Sequence, residues 1–258
     1  MSIYQHFREN EHPFIDRVLD WKSQVLNQYI VQVTEFLNPR ERKIIGYVIG
    51  EQDEELAVSF FGGVPEAERQ RAIIAPRFIP TNEDDFALIG LEASYPSKFV
   101  RLSHRDVLGA FTSLGIDRSM VGDIYVHADK VQLITTETFK EYVLRELRQI
   151  KNTSIAFKEV PLSAIEKTKE EWQSRHYTVS SLRLDTIVAS CYRLSRQKAS
   201  RLIASERVQL NYRLETNPAT VLEAGDLLSV RGHGRCKLME TKGRTKKDKI
   251  RLVAGHLM

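Results

Sequence analysis

The chain has 258 residues, 42% hydrophobic and 28% charged, with 13 Gly and 8 Pro; this argues against a wholly disordered chain and leaves room for two domains or three small ones. No segment approaches the roughly 18 consecutive apolar residues of a membrane span, and the opening MSIYQHFRENEHPF lacks the basic and apolar regions of a secretory signal, so no membrane partner and a cytoplasmic setting are expected. The net charge of +4 is unevenly spread: residues 181–258 hold 16 Lys and Arg against 7 Asp and Glu, while the other 180 residues hold 22 against 27, which points to a polyanionic partner for the basic end.

Apolar residues Phe14, Ile15, Val18, Leu19, Leu26, Tyr29, Ile30, Val33 and Leu37 recur at spacings of three and four, which predicts one long amphipathic helix over 12–37. Asn38-Pro39 ends it and reads as the cap and first position of a second helix. A short strand over 56–61 runs into Gly62-Gly63, and PEAERQR after it reads as another helix. The Gly pair lacks the Lys-Ser/Thr of a phosphate loop and reads as a turn. Residues 1–82 are thus expected to form a mixed N-terminal α/β domain, to which no chemistry is assigned.

Residues 83–163 give a clearer order: a strand over 86–95, a helix capped by Ser103 and ended by Gly115, and a hairpin of 123–127 with 131–136. A helix over 138–150 and a strand over 154–160 follow. The order β-α-β-β-α-β is that of a ferredoxin-like (RRM-like) unit, which RNA-recognition modules share with many enzymes. Its third strand, VQLITT, carries no aromatic, so base stacking on this sheet is not expected. His104-Arg105-Asp106 matches a kinase tripeptide, but the Asn, the Asp-Phe-Gly and the Gly-rich loop that kinases need are absent. A helix cap is the simpler reading. Residues 164–180 are polar, without a sustained apolar face, and read as a linker.

In residues 181–258, Leu184, Ile187, Val188 and Cys191 sit at i, i+3, i+4 and i+7, and Ser195 caps a second helix whose Ala199, Leu202 and Ile203 face a core. Lys198 and Arg201 share the solvent side, with Arg196 in the first turn. Strands are expected at 207–211 and 227–231, giving two short helices on a small, mostly antiparallel sheet with cationic groups on the helical side. Cys191 and Cys236, the only cysteines, form no C-x-x-C pair, so neither a disulfide framework nor a cysteine-rich zinc site is expected.

This order resembles the S4 RNA-binding domain, on Arg183-Leu184-Asp185, Ser195-Arg196, Lys198-Ala199, Leu202-Ile203, Val208, Leu210-Asn211, Gly225-Asp226 and Leu228-Ser229-Val230. Glu206 departs from it, standing where S4 domains commonly carry Gly at the helix-to-strand turn. SVRGHGR at 229–235 and TKKDK at 245–249 narrow the resemblance to the YlmH family. So do LSHRDVLG at 102–109, LGIDR at 114–118, GDI at 122–124, FFGG at 60–63 and EAER at 66–69. The resemblance implies an α+β chain of three small domains: the N-terminal domain, the ferredoxin-like middle domain and an S4 domain with a basic tail. It further implies binding of rRNA and tRNA on the large ribosomal subunit in quality control of stalled translation, and a link to cell division.

Duplex RNA is read by shape, phosphates and 2′-hydroxyls, because its major groove is too narrow for side chains. A helix pair bearing Arg196, Lys198 and Arg201 suits such a surface, with Arg183 at the rim, Asn211 among the contacts, and Arg231 and Arg235 flanking two glycines. Lys246 and Lys247, with Lys242, Arg244, Lys249 and Arg251, are expected to add a mobile electrostatic contact. Asp185 is expected to orient arginines or cap the helix. The enzymatic alternative is a pseudouridine synthase, whose Arg-Leu-Asp the chain imitates at 183–185 without a catalytic domain behind it. No methyltransferase or synthetase nucleotide motif and no H-E-x-x-H occurs, so neither catalysis, cofactor nor metal is expected. A third reading is an adaptor whose acidic N-terminal domains hold a protein partner.

Overall fold

The computed structural model describes residues 3–50, 53–168 and 171–257. The chain is α+β and divides into two compact units, Met1–Thr168 and Lys169–Met258.

After two short 3-10 turns the first unit contains α1 (His12–Gln28), β1 (Gln32–Val33), α2 (Pro39–Ile49), β2 (Leu56–Phe61) and β3 (Arg71–Pro76). The strands form a sheet in the order β1-β3-β2. Phe14, Ile15, Val18 and Val25 of α1 pack on Ile44, Ile45 and Val48 of α2 and on Ala72 and Ile74 of β3. The single helix expected over 12–37 therefore ends early. Tyr29 turns left-handed at φ 53, and the β-branched run after it leaves the helix to pair with β3. The apolar spacing continues past that break because Leu37, bridged to Gln70, serves the same core. Asn38 caps α2 as expected, its Oδ1 accepting from the N–H of Arg40 at 2.8 Å and of Glu41 at 3.0 Å.

No helix forms over PEAERQR. Glu66 is left-handed at φ 54, and the N–H groups of Glu68 and Arg69 donate to the Asp123 carboxylate at 2.7 and 3.0 Å. That carboxylate lies far off in the chain, so no local pattern reports it.

The ferredoxin-like half contains β4 (Leu88–Ser94), α3 (His104–Ser113), β5 (Val121–Val126), β6 (Lys130–Thr136) and α4 (Glu137–Glu146). β7 (Gln149–Ile150), β8 (Thr153–Ser154) and β9 (Lys158–Val160) follow. The sheet runs β5-β6-β4-β9, all antiparallel. α4 stops a turn short of expectation, and Ile150 enters the core from the β7–β8 hairpin instead. His104-Arg105-Asp106 is a cap: the Asp106 carboxylate accepts from Ser103 N–H and from Lys151 Nζ, both at 2.8 Å.

Both faces of this sheet are covered. Leu91, Ala93, Val131 and Leu133 pack with Val107 and Phe111 of α3 and Val143 of α4. On the other face Tyr125 and Ile134 meet Phe36, Val64, Ala67 and Ile165. Gly122 is where Phe36 comes closest, since a Cβ there would lie 2.7 Å from its ring.

The second unit contains β10 (Trp172–Val179), α5 (Leu184–Cys191), α6 (Arg196–Ala204), β11 (Val208–Leu210) and β12 (Arg213–Leu214). β13 (Leu227–Val230), β14 (Gly234–Arg244) and β15 (Ile250–Leu257) complete it. Its sheet runs β10-β15-β14-β13-β11-β12, and Leu184, Ile187, Val188, Ala199, Leu202 and Ile203 pack on Val208, Leu228, Val230 and Leu252.

Two expectations change here. Of the expected linker, residues 169 and 170 lie outside the described residues, and 172–179 are β10, paired antiparallel with β15 along its whole length. Its side chains are mostly exposed, so this edge strand carries no apolar alternation to read. The basic tail is a hairpin: Lys242 and Arg244 end β14, and the turn closes through Thr245 N–H to Lys249 O at 2.7 Å.

Candidate nucleic-acid interface

The start of α5 is pinned by its neighbours, Leu184 N–H donating to Thr220 O at 2.8 Å and Asp185 N–H to Pro218 O at 3.1 Å. This buries the Asp185 side chain to 6% exposure beside two arginines. Arg183 donates to it through Nη2 at 3.1 Å and Nε at 3.3 Å, and Arg196 through Nε at 3.1 Å. Burial pushes the carboxyl pKa up, but the bonds from Arg183, Arg196 and Thr186 outweigh it and hold the group below the usual carboxylate range. The two arginine side chains remain 38% and 58% exposed, so each guanidinium keeps donors for a second acceptor.

Along α6, the Ser195 hydroxyl accepts from Lys198 N–H at 3.2 Å. Burial of Ala199, Leu202 and Ile203 turns Lys198 and Arg201 outward. Both line a shallow open depression with Leu202, Ala204, Ser205 and Arg207. The turn after α6 keeps its left-handed residue although it is Glu206, at φ 56; Arg207 N–H closes it on Leu202 O at 3.0 Å.

Arg207 is the member that sequence reasoning missed. Its carbonyl accepts from Arg231 N–H at 2.9 Å, and its Nη2 lies 3.9 Å from where a Cβ on Gly232 would stand. It thereby joins the α6 cations to the loop carrying Arg231. A signal exists, since Arg207 directly follows the turn, but the alternation over 207–211 speaks only for a strand. Lys198, Arg201, Arg207 and Arg231 make no ion pair with a carboxylate among the described residues.

The other expected residues lie elsewhere. Arg235, on β14, holds its guanidinium 5.6 Å from the Tyr212 ring. Asn211 is exposed and also braces a turn, its Nδ2 donating to Asp226 at 2.8 Å and its Oδ1 accepting from Leu227 N–H at 2.9 Å. Lys246 and Lys247 stand exposed at the hairpin tip, about 30 Å along β14 from the Arg235 end at ~3.3 Å per residue. In the ferredoxin-like half, the sheet face used for stacking by RNA-recognition modules is closed by Phe36, Val64, Ala67 and Ile165. No described helix is long and apolar enough to cross a membrane.

Comparison with known proteins places the chain. The model of the YlmH N-terminal domain matches residues 10–79, and the model described as an RNA-binding domain in YlmH matches residues 80–164. A Bacillus subtilis protein named ribosome-associated protein quality control protein P2 is 41% identical over 252 residues, 98% of this chain and 97% of that one. A solved structure named cell division protein ylmH, from Streptococcus pneumoniae, aligns with a TM-score of 0.54 at 29% identity, covering 64% of this chain and all of its own. With both domain models in register and a relative matched nearly end to end, this chain belongs to the YlmH family.

Proposed function

We propose that this protein is a non-catalytic RNA-binding factor that associates with the ribosome, and that its C-terminal unit is an S4-type domain gripping structured RNA. The observation that carries the reading is the continuous set of carboxylate-free cations Lys198, Arg201, Arg207 and Arg231, extended by Arg196 and Arg183 over the buried Asp185. Fixed guanidinium forks match phosphate oxygens bidentately, and held in place by Asp185 they lose less entropy on binding. The ribosome association named for the Bacillus subtilis relative supports rRNA as the ligand. The finer reading follows the family: contacts with rRNA and tRNA on the large subunit during quality control of stalled translation, with a link to cell division as the name of the Streptococcus pneumoniae relative has it.

The pseudouridine-synthase alternative needs Asp185 as a free nucleophile. Its burial and its two guanidinium partners leave no open lone pair facing solvent, which supports the binding reading. The apolar stripe of α1 is the residue-level basis for a protein partner of the N-terminal domains. Phe14, Ile15 and Val18 of that stripe are core, whereas Leu19, Tyr29 and Ile30 are exposed.

The test is sedimentation of the full chain with ribosomes through sucrose at low and moderate salt, beside the Lys198→Ala/Arg201→Ala/Arg207→Ala variant. Comigration with free large subunits that survives moderate salt and is lost in the variant is expected. Wild-type protein remaining at the top of the gradient under both salts would overturn the proposal.

A further inference from the structure

The cysteines, too few and too far apart in sequence to suggest a metal site, meet in the fold. Cys236 of β14 and His256 of β15 are directly opposed cross-strand partners, so their side chains leave the sheet on one face. α5 covers that face and ends at Cys191. The two sulfurs and a ring nitrogen of His256 all lie within 4.8 Å of one another, with Cys236 Sγ 4.0 Å from His256 Nε2. Both cysteines are buried and free. Tyr177 Oη stands 2.7 Å from the same Nε2, and the Tyr192 ring lies edge-on to the imidazole at 5.9 Å.

We infer that Cys191, Cys236 and His256 form a binding site for one zinc-class metal ion, separate from the cationic face. A tetrahedral ion with Zn–S near 2.3 Å and Zn–N near 2.0–2.1 Å needs its ligand atoms roughly 3.5–3.8 Å apart. The cluster therefore has to contract by about an ångström, within reach of small side-chain rotations. Two thiolates and an imidazole select zinc or copper(I) over magnesium or calcium. Each thiol gives up its proton to solvent on binding, and the two thiolates neutralise the dication. At Nε2 the ion takes the place of the Tyr177 hydrogen bond, leaving the phenol oxygen or a water for the fourth position.

The site would tie the end of α5 to the two central strands. It stands behind the RNA-facing loop, because Tyr192 Oη donates to Gly234 O at 3.1 Å and its ring also meets His233. An ion there would hold the loop bearing Arg231 in place.

The test titrates reduced full-length protein with Co2+ and then adds Zn2+. The expected result is one cobalt per chain, with sulfur-to-cobalt charge transfer and tetrahedral d–d absorption that Zn2+ abolishes. Cys236→Ser and His256→Gln should remove the signal. A wild-type protein without charge-transfer absorption would overturn the inference, and needs no variant to fold. An equal signal in the Cys191→Ser/Cys236→Ser double variant would overturn it as well. A Cys191–Cys236 disulfide found by mass spectrometry in protein that ignores cobalt after reduction would assign the pair to redox chemistry instead.

Discussion

Asp185 shows how one side chain sets both stability and the binding face. It is buried, and its acceptors are filled by Arg183, Arg196 and Thr186. In Asp185→Asn the charge that restrains two guanidiniums is gone, so a loss of about 1–3 kcal/mol is expected, together with weaker RNA binding. Urea denaturation and filter binding measure the two effects. The carboxyl is held below its unfolded value, so its stabilisation is complete above the unfolded pKa of about 3.9 and is lost as pH falls through the folded value. The stability gap between wild type and Asp185→Asn should therefore be full at neutral pH and shrink in acid. A gap that stays constant down to acid pH would show that the carboxylate charge is not what the arginines need.

At the scale of elements, the basic tail is a hairpin of β14 paired with β15. If Lys246 and Lys247 each meet one phosphate, replacing both by Ala should weaken binding to every RNA alike. The slope of log affinity against log salt should flatten by roughly 0.7–0.9 for each phosphate that is no longer neutralised. Titrations across a salt series would detect this, and an unchanged slope would remove the hairpin tip from the interface. The same hairpin shows where sequence is readable and where it is not. α2, α3, α5 and α6 are legible because each begins at a residue type that favours helix starts, Asn38, Ser103 or Ser195, or at the Arg183-Leu184-Asp185 motif, ahead of a 3.6-residue apolar stripe. β10 and the loop over 65–70 are not, because one is a polar edge strand and the other is shaped by Asp123 from a distant strand. In the site, Arg196, Lys198 and Arg201 can be placed from helix phase alone. Arg207 cannot, since its neighbours Arg231 and Gly232 reach it only through strand pairing, and neither can the turn that Asn211 braces with Asp226.

For the whole molecule, charge and compactness divide the chain at nearly the same point. The unit Lys169–Met258 has its own core and contains the basic surplus. Residues 169–258 expressed alone should unfold cooperatively in circular dichroism and keep RNA affinity within about tenfold of the full chain, or ~1.4 kcal/mol. A folded fragment that binds no RNA would move the interface into the first unit. The place where such a fragment starts matters for reasons beyond binding. β15 reads IRLVAGHL, with Leu252, Val253, Ala254 and Gly255 all buried; bare along one side, it would offer a long row of unpaired amides and carbonyls to any passing strand. β10 covers that row and presents Gln173, Ser174, Arg175 and His176 to water in its place. The stretch that reads as a spacer is thus the rim of the sheet, and a cut at the Arg183 motif would leave a chain inclined to stack edge to edge with its copies.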